Sequence, residues 1–325
     1  MSRRWPSRRG GLLLVAVCLA AGCTGAGRDP VARPASSTTP APGTAPATTG
    51  PLGPATPPDG RLVFSVRDGQ EVHLWTMDTH GRHRRQLTRR PGVDFDPSWS
   101  PDGRRVLFRT SRGRYGPDPS HTGTEAIFVV DADGSHERQL YPPSPGRRGG
   151  LFADWAPDGR RVALSTVGGH GETIVVVDLR GRLLRDLHTV GECADWSPDG
   201  RWILFCSGRT GSWNAWVMRA DGTDLTQVSH HGGTYPGGWS PDGRQVVFGG
   251  GQAGIHVARP DGRDERPVPL AVPGFAAAWW PDGRILFSYD TGEGTPTRWG
   301  LVEPDGSGAG LLPALDGAGE VDYHR

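Results

Sequence analysis

The chain has no lysine, one asparagine (Asn214) and five isoleucines in 325 residues. All 36 of its basic side chains are arginine, a bias expected of a GC-rich coding sequence and uninformative about mechanism. Net charge is small, at +1. Residues 1–56 hold six arginines and one aspartate, which leaves 30 Arg against 34 Asp and Glu from residue 57 onward. A slightly acidic domain lacks the basic footprint that nucleic acid requires, so no nucleic-acid partner is expected. Residues 57–325 also lack any long apolar run that could cross a bilayer as a helix. The Gly-x-Ser-x-Gly elbow of hydrolases is missing. Residues 238–242 come near it but lie on a repeated turn.

Glycine and proline, at 50 and 30 residues, are abundant. Without periodicity such a content points to low complexity; with periodicity it points to many short strands joined by turns.

The N-terminus reads as an address. Arg3, Arg4, Arg8 and Arg9 precede the apolar run 11–22. A basic region followed by a short apolar one has the form of a signal peptide. The run ends Leu19-Ala20-Ala21-Gly22-Cys23, which resembles a bacterial lipobox and makes Cys23 the lipid-attachment residue. Both the general and the twin-arginine export routes stay open. Residues 24–56 are mostly Pro, Ala, Thr, Ser and Gly and bury nothing, so they are expected to be a disordered tether. The expected organisation is a signal peptide over 1–22, lipidated Cys23 with a linker over 23–56, and one folded domain over 57–325. It places the protein outside the cytoplasm of a bacterium, attached to the membrane through its N-terminal lipid alone.

Repeats dominate the rest. Trp-Ser-Pro-Asp-Gly begins at Trp99, Trp196 and Trp239, with variants at Trp155 and Trp279, and a sixth Pro-Asp-Gly begins at Pro58. The prolines are spaced 43, 56, 41, 43 and 40 residues apart. Proline presets the first turn dihedral, and glycine supplies the left-handed position, so each motif is a tight hairpin. An apolar strand follows every one, as in 106–108, 203–205 and 246–248. A second glycine turn recurs at 78–81, 131–134, 178–181, 219–222, 259–262 and 303–306, and a short fourth strand follows it. Four strands per repeat, six times over, predict an all-β fold: a six-bladed β-propeller of antiparallel strands. The first repeat lacks its innermost strand. Residues 320–325 match the segment before Trp99, so this C-terminal strand is expected to close the ring on the first blade.

Trp-Ser-Pro-Asp-Gly, an apolar strand ending in Phe, and Gln86-Leu87-Thr88 after the second turn resemble the WD40-like (PD40) repeat of the TolB propeller family. The resemblance covers 57–325 and implies a non-enzymatic interaction platform of the bacterial envelope. The small α/β domain that precedes the propeller in TolB has no counterpart here, so a role in the Tol system is not implied.

The longer, varied loops share the face opposite the tight turns and are the candidate binding surface. It offers Arg112, Arg114, Tyr115 and His121 in the longest loop, then Arg147 and Arg148. Other loops add His170, Trp213, His230, His231, Tyr235, Arg298 and Trp299. The motif tryptophans recur at one position and are expected in the core. Inner-strand residues Asp94, Asp96, Asp154, Glu192, Asp195, Asp322 and His324 are candidates to line the central channel. Their convergence with perturbed pKa values would favour an enzyme, of the lactonase or lyase kind, over a scaffold. Exposed aromatic platforms at Tyr115, Trp213 or Tyr235 would instead favour carbohydrate binding. No catalytic residue, cofactor or metal site is expected. His230 and His231 are adjacent and would diverge in a strand, and the acids at Asp131 and Asp133 read as a turn. Cys193 and Cys206 flank one hairpin. One register separates them and another makes them diagonal neighbours; the first is favoured, as the one a type I turn with a glycine bulge produces. The expected partner is an envelope protein or a cell-wall component.

Overall fold

A computed structural model describes residues 52–111, 126–141, 148–168, 171–250, 254–270, 272, 274–289 and 296–324. Each repeat becomes one antiparallel sheet. The first contains β1 (Arg61–Asp68), β2 (Glu71–Asp78) and β3 (Arg85–Gln86). Blade 2 is β4 (Asp94–Trp99), β5 (Arg105–Thr110), β6 (Ala126–Asp131) and β7 (Arg138–Tyr141). Blade 3 is β8 (Arg148–Trp155), β9 (Arg161–Gly168), β10 (Gly171–Asp178) and β11 (Leu183–Asp186). Blade 4 is β12 (Glu192–Trp196), β13 (Trp202–Ser207), β14 (Asn214–Arg219) and β15 (Thr226–Gln227). Blade 5 is β16 (Tyr235–Trp239), β17 (Val246–Gly250), β18 (Gly254–Ala258) and β19 (Arg266–Pro267). Blade 6 is β20 (Gly274–Trp279), β21 (Ile285–Tyr289), β22 (Arg298–Val302) and β23 (Gly310–Leu311).

The ring closes as the sequence predicts. Strand β24 (Val321–His324) supplies the fourth strand of blade 1, pairing Leu62 with Tyr323 and Phe64 with Val321. A second clasp was not anticipated. Residues 53–55 run parallel to the outer strand of blade 6, with Ala55 N donating to Leu311 O at 2.7 Å and Leu311 N to Gly53 O at 2.7 Å. Leu52 and Ala55 pack against core residues. The tail of the Pro/Ala-rich stretch pairs because a propeller's outer edge leaves free N–H and C=O groups for it.

The core lies between blades. Six apolar clusters each join one blade to the next, and the sixth joins blade 6 to blade 1. Strand β9 shows why the strands are apolar on both faces: Val162 and Leu164 pack toward blade 2, and Ala163 toward blade 4. Four motif tryptophans (Trp99, Trp155, Trp196 and Trp239) are buried in these seams as expected. Blade 6 departs, because Trp280 is the fully buried ring and Trp279 only half-buried. In blades 1 to 3 the arginine that opens the second strand covers the next blade's tryptophan. Arg61 lies 4.8 Å from the Trp99 centroid, Arg105 5.3 Å from Trp155 and Arg161 5.0 Å from Trp196.

The Ser-Pro-Asp-Gly turn is held by its own side chains. Ser100 Oγ donates to Asp102 Oδ1 at 2.6 Å and accepts from Arg105 N at 2.9 Å; Gly103 adopts φ +61. The serine hydrogen bond holds the Asp102 carboxyl below the usual carboxylate range, and the same bond from Ser240 does so for Asp242. The second turn needs glycine for another reason. Gly181 adopts φ +76, and a Cβ there would stand 2.0 Å from the Leu140 carbonyl oxygen of the preceding blade. This glycine is a seam contact as well as a turn residue.

Candidate functional site

The residue just before the motif tryptophan holds the same place in every blade. Around the ring these are Asp322, Ser98, Asp154, Asp195, Gly238 and Ala278. Three carboxyls are therefore grouped on one side of the channel. Each is tied to the next blade. Trp99 N donates to Asp322 Oδ2 at 2.6 Å, and Trp196 N to Asp154 Oδ2 at 3.1 Å. The Trp239 backbone N–H donates to the Asp195 carboxyl. Ser98 Oγ donates to Asp154 Oδ1 at 3.0 Å, and Asp195 is hydrogen-bonded to Asp154.

Asp154, Asp195 and Asp322 are each half-buried as residues, with their carboxyls packed among neighbouring blades. Burial therefore penalises the charged form. It raises the Asp154 carboxyl, and it pushes Asp322 up to about 7. Burial, followed by the neighbouring Asp154 charge, holds Asp195 well above the carboxylate range. Of the hydrogen-bonded pair, Asp195 is the carboxyl pushed further toward its protonated form. Such an arrangement can bind a polar group or hold a proton, and it also braces three blade seams.

The other channel candidates do not join this group. A bulge interrupts the first strand of blades 2 to 6, so simple alternation fails there. Asp94 is fully buried and accepts from Thr110 Oγ1 at 2.6 Å. Asp96, at the bulge with φ +47, pairs with Arg109 at 2.8 Å. Glu192 is buried opposite Cys206. His324 lies at the tight-turn end, 5.9 Å from the Trp99 ring and against Gly103, with its pKa lowered by burial and then by Arg61.

On the varied-loop face, Arg112, Arg114, Tyr115, His121, Arg147 and His170 lie outside the described residues, as does Cys23. Arg148 opens β8. Trp213 and Tyr235 come together from the two sides of the seam between blades 4 and 5, their rings stacked 6.2 Å apart and each half-buried. Thr234 N donates to Trp213 O at 3.1 Å and fixes one loop on the other. Nearby His230 is exposed. Arg298 is exposed at the start of β22. Trp299 is a correction: it is buried in the seam of blades 6 and 1, with Nε1 donating to Ala318 O at 3.1 Å. It lies inside β22, where residues 299–302 are all buried between blades.

Tertiary structure also builds two donor groups that sequence spacing hid. His231 meets His256 and Glu265, and Glu192 lies beside Cys193 and Cys206. The favoured register holds beside the cysteines but not next to the turn. Asp195 pairs with Leu204 and Glu192 with Cys206, and the bulge between them turns Cys193 to φ +57. Its Sγ stands 2.8 Å from that of Cys206, without a bond. On the tight-turn face, opposite the expected binding surface, a cavity of about 750 Å³ opens between blades 4 and 5, bordered by Trp202, Asp242 and Arg259.

The family model described as the TolB beta propeller domain matches residues 147–321. The chain belongs to the TolB β-propeller family. A 48-residue segment is 44% identical to the Tol-Pal system protein TolB of Nitratidesulfovibrio vulgaris, covering 14% of this chain and only 11% of that protein. The crystal structure of TolB from Acinetobacter baumannii superposes with a TM-score of 0.64 at 18% identity, over 81% of this chain and 66% of that one. An oligogalacturonate lyase from Vibrio parahaemolyticus superposes with a TM-score of 0.53 at 16% identity, over 78% and 74%. At such identities the two superpositions speak for the propeller fold alone. The match to the TolB propeller and the likeness to a lyase rest on one backbone, so the side chains must separate binding from catalysis.

Proposed function

We propose that this chain is an exported protein, anchored by a lipid on Cys23, whose TolB-like propeller is a non-catalytic binding platform at the cell envelope. The observation that carries this reading is the use made of the channel carboxyls. Asp322, Asp154 and Asp195 occupy equivalent positions and accept the backbone N–H of the next blade's tryptophan. Their burial thus has a structural cause, the joining of neighbouring inner strands. The stacked Trp213–Tyr235 pair then offers the recognition surface on the varied-loop face. Aromatic rings with a polar rim suit either a protein partner or a glycan. Membership of the TolB family agrees with a platform role, and the partner sought is an envelope protein or cell-wall component.

The test uses the full chain with Cys23→Ser, immobilised and exposed to envelope extract and to purified cell-wall fragments. A component that rebinds in pure form, and is lost with Trp213→Ala, supports the reading. No such component, or one indifferent to Trp213→Ala and Tyr235→Ala, refutes it.

The clustered carboxyls favour a second reading, an enzyme acting on a small or carbohydrate substrate in the channel. The purified chain would be incubated with oligogalacturonate and the unsaturated product followed by absorbance. Turnover abolished by Asp195→Asn, with fold retained, would replace the platform reading.

A further inference from the structure

We propose that His231, His256 and Glu265 form a divalent transition-metal site, suited to Zn²⁺, at the outer seam of blades 4 and 5. Glu265 Oε1 lies 2.6 Å from His231 Nε2 and 3.1 Å from His256 Nδ1. All three donor atoms fall within 4.8 Å of one another. A tetrahedral Zn²⁺ with bonds of about 2.0–2.1 Å holds its ligand atoms about 3.3 Å apart, so shifts of under about 1 Å would seat the ion. Two imidazoles and one carboxylate are a borderline donor set that Zn²⁺ accepts, with the fourth position left to water or to a partner's donor. The side chains sit at the surface without being loose. His231 is 43% exposed, while His256 and Glu265 are 13% and 21% exposed.

The second, independent observation is a comparison with blade 2. Leu74 N donates to Thr88 Oγ1, and Ala215 N to Ser229 Oγ, in equivalent connections between blades. Two residues further on stand Arg90 and His231. Arg90 reaches Glu137, just before β7, at 3.5 Å, as His231 reaches Glu265, just before β19. The third member differs. In blade 2, Phe128 pairs with Phe108 across the sheet; in blade 5, His256 pairs with Phe248. An ion pair beside an aromatic ring has thus become three convergent donors. Phe248 lies against His256 with centroids 5.9 Å apart and stacked planes, which limits ring rotation and gives the site an apolar floor.

The site lies on the outer strands, away from the channel carboxyls, and stands whether or not the platform reading does. Titrating the full chain with Zn²⁺ alone, by calorimetry and by thermal unfolding, tests it. One equivalent should bind, and chelator should reverse the rise in Tm. His256→Phe restores the side chain that blade 2 carries and should leave the fold intact, yet weaken Zn²⁺ binding by at least about 100-fold; Glu265→Gln should weaken it by at least about 10-fold. The paired changes Cys193→Ser and Cys206→Ser, and separately His230→Ala, should leave it unchanged. The proposal is overturned by failure of the native chain to bind, by full affinity in a folded His256→Phe protein, or by loss of binding in the cysteine variant.

Discussion

Replacing Asp322 by Asn should flatten the pH dependence of stability above pH 5. Asp322 has an ordinary carboxyl pKa of 3.8 in the unfolded chain and one of about 7 in the ring. A raised carboxyl pKa means that the folded state holds the proton more tightly. Its contribution is fully present below the unfolded value and is lost as pH rises through the folded one. The full span amounts to about 4 kcal/mol. About 1.5 kcal/mol of that is already lost at pH 5, where the unfolded carboxyl has ionised, and about 2.5 kcal/mol more goes by pH 8. For a domain of this size the second part corresponds to roughly 5 °C in Tm. Asparagine keeps an oxygen for the Trp99 N–H and cannot ionise. Thermal melts at pH 5 and pH 8 should show native Tm falling about 5 °C further than that of Asp322→Asn. Parallel curves for the two proteins would refute the assignment of a buried, proton-retaining carboxyl at this position. The turn aspartates do not mask the effect. Asp102 and Asp242 have lowered pKa values, so their contribution is lost only as pH falls below the unfolded carboxylate value.

Three further outcomes are expected. Removing residues 320–325 strips β24 from blade 1 and exposes Leu62 and Phe64; cooperative unfolding, followed by circular dichroism, should disappear or shift down by more than 10 °C, as expected for roughly 5 kcal/mol. Gly181→Ala places a Cβ against the Leu140 carbonyl at a positive-φ position and should cost at least about 2 kcal/mol, measured by denaturant unfolding; a neutral result would contradict the tight seam. Mild oxidation with a small disulfide should link Cys193 to Cys206, since their sulfurs need to move under about 1 Å; intact mass should fall by two hydrogens, and peptide mapping should join the two segments.

Much of the architecture was legible because a propeller repeats its instructions. Proline, aspartate and glycine at a fixed spacing impose the hairpin locally, whichever blade they belong to. The missing first strand and its match at 320–325 made the closure readable as well. The edge clasp at 53–55 was invisible because such pairing uses backbone groups, which leave no side-chain signature. Trp299 was misplaced because one strand residue among loops cannot be assigned a face without its register.

The sites divide along the same line. Asp154, Asp195 and Asp322 were readable as inner-strand acids, since each sits next to a motif tryptophan or its stand-in Tyr323. Asp94, Asp96 and Glu192 take other partners because a bulge, which depends on the pairing strand, separates them from the motif tryptophan. By itself the sequence determined six four-stranded blades, their tight turns and the order in which they close, because those follow from local dihedral preferences and a repeated apolar pattern. Which acids hydrogen-bond to each other, which sulfurs touch and which histidines meet Glu265 depended on the folded ring. Those contacts join residues from different strands and connections, and the ring's curvature and strand register set their distances.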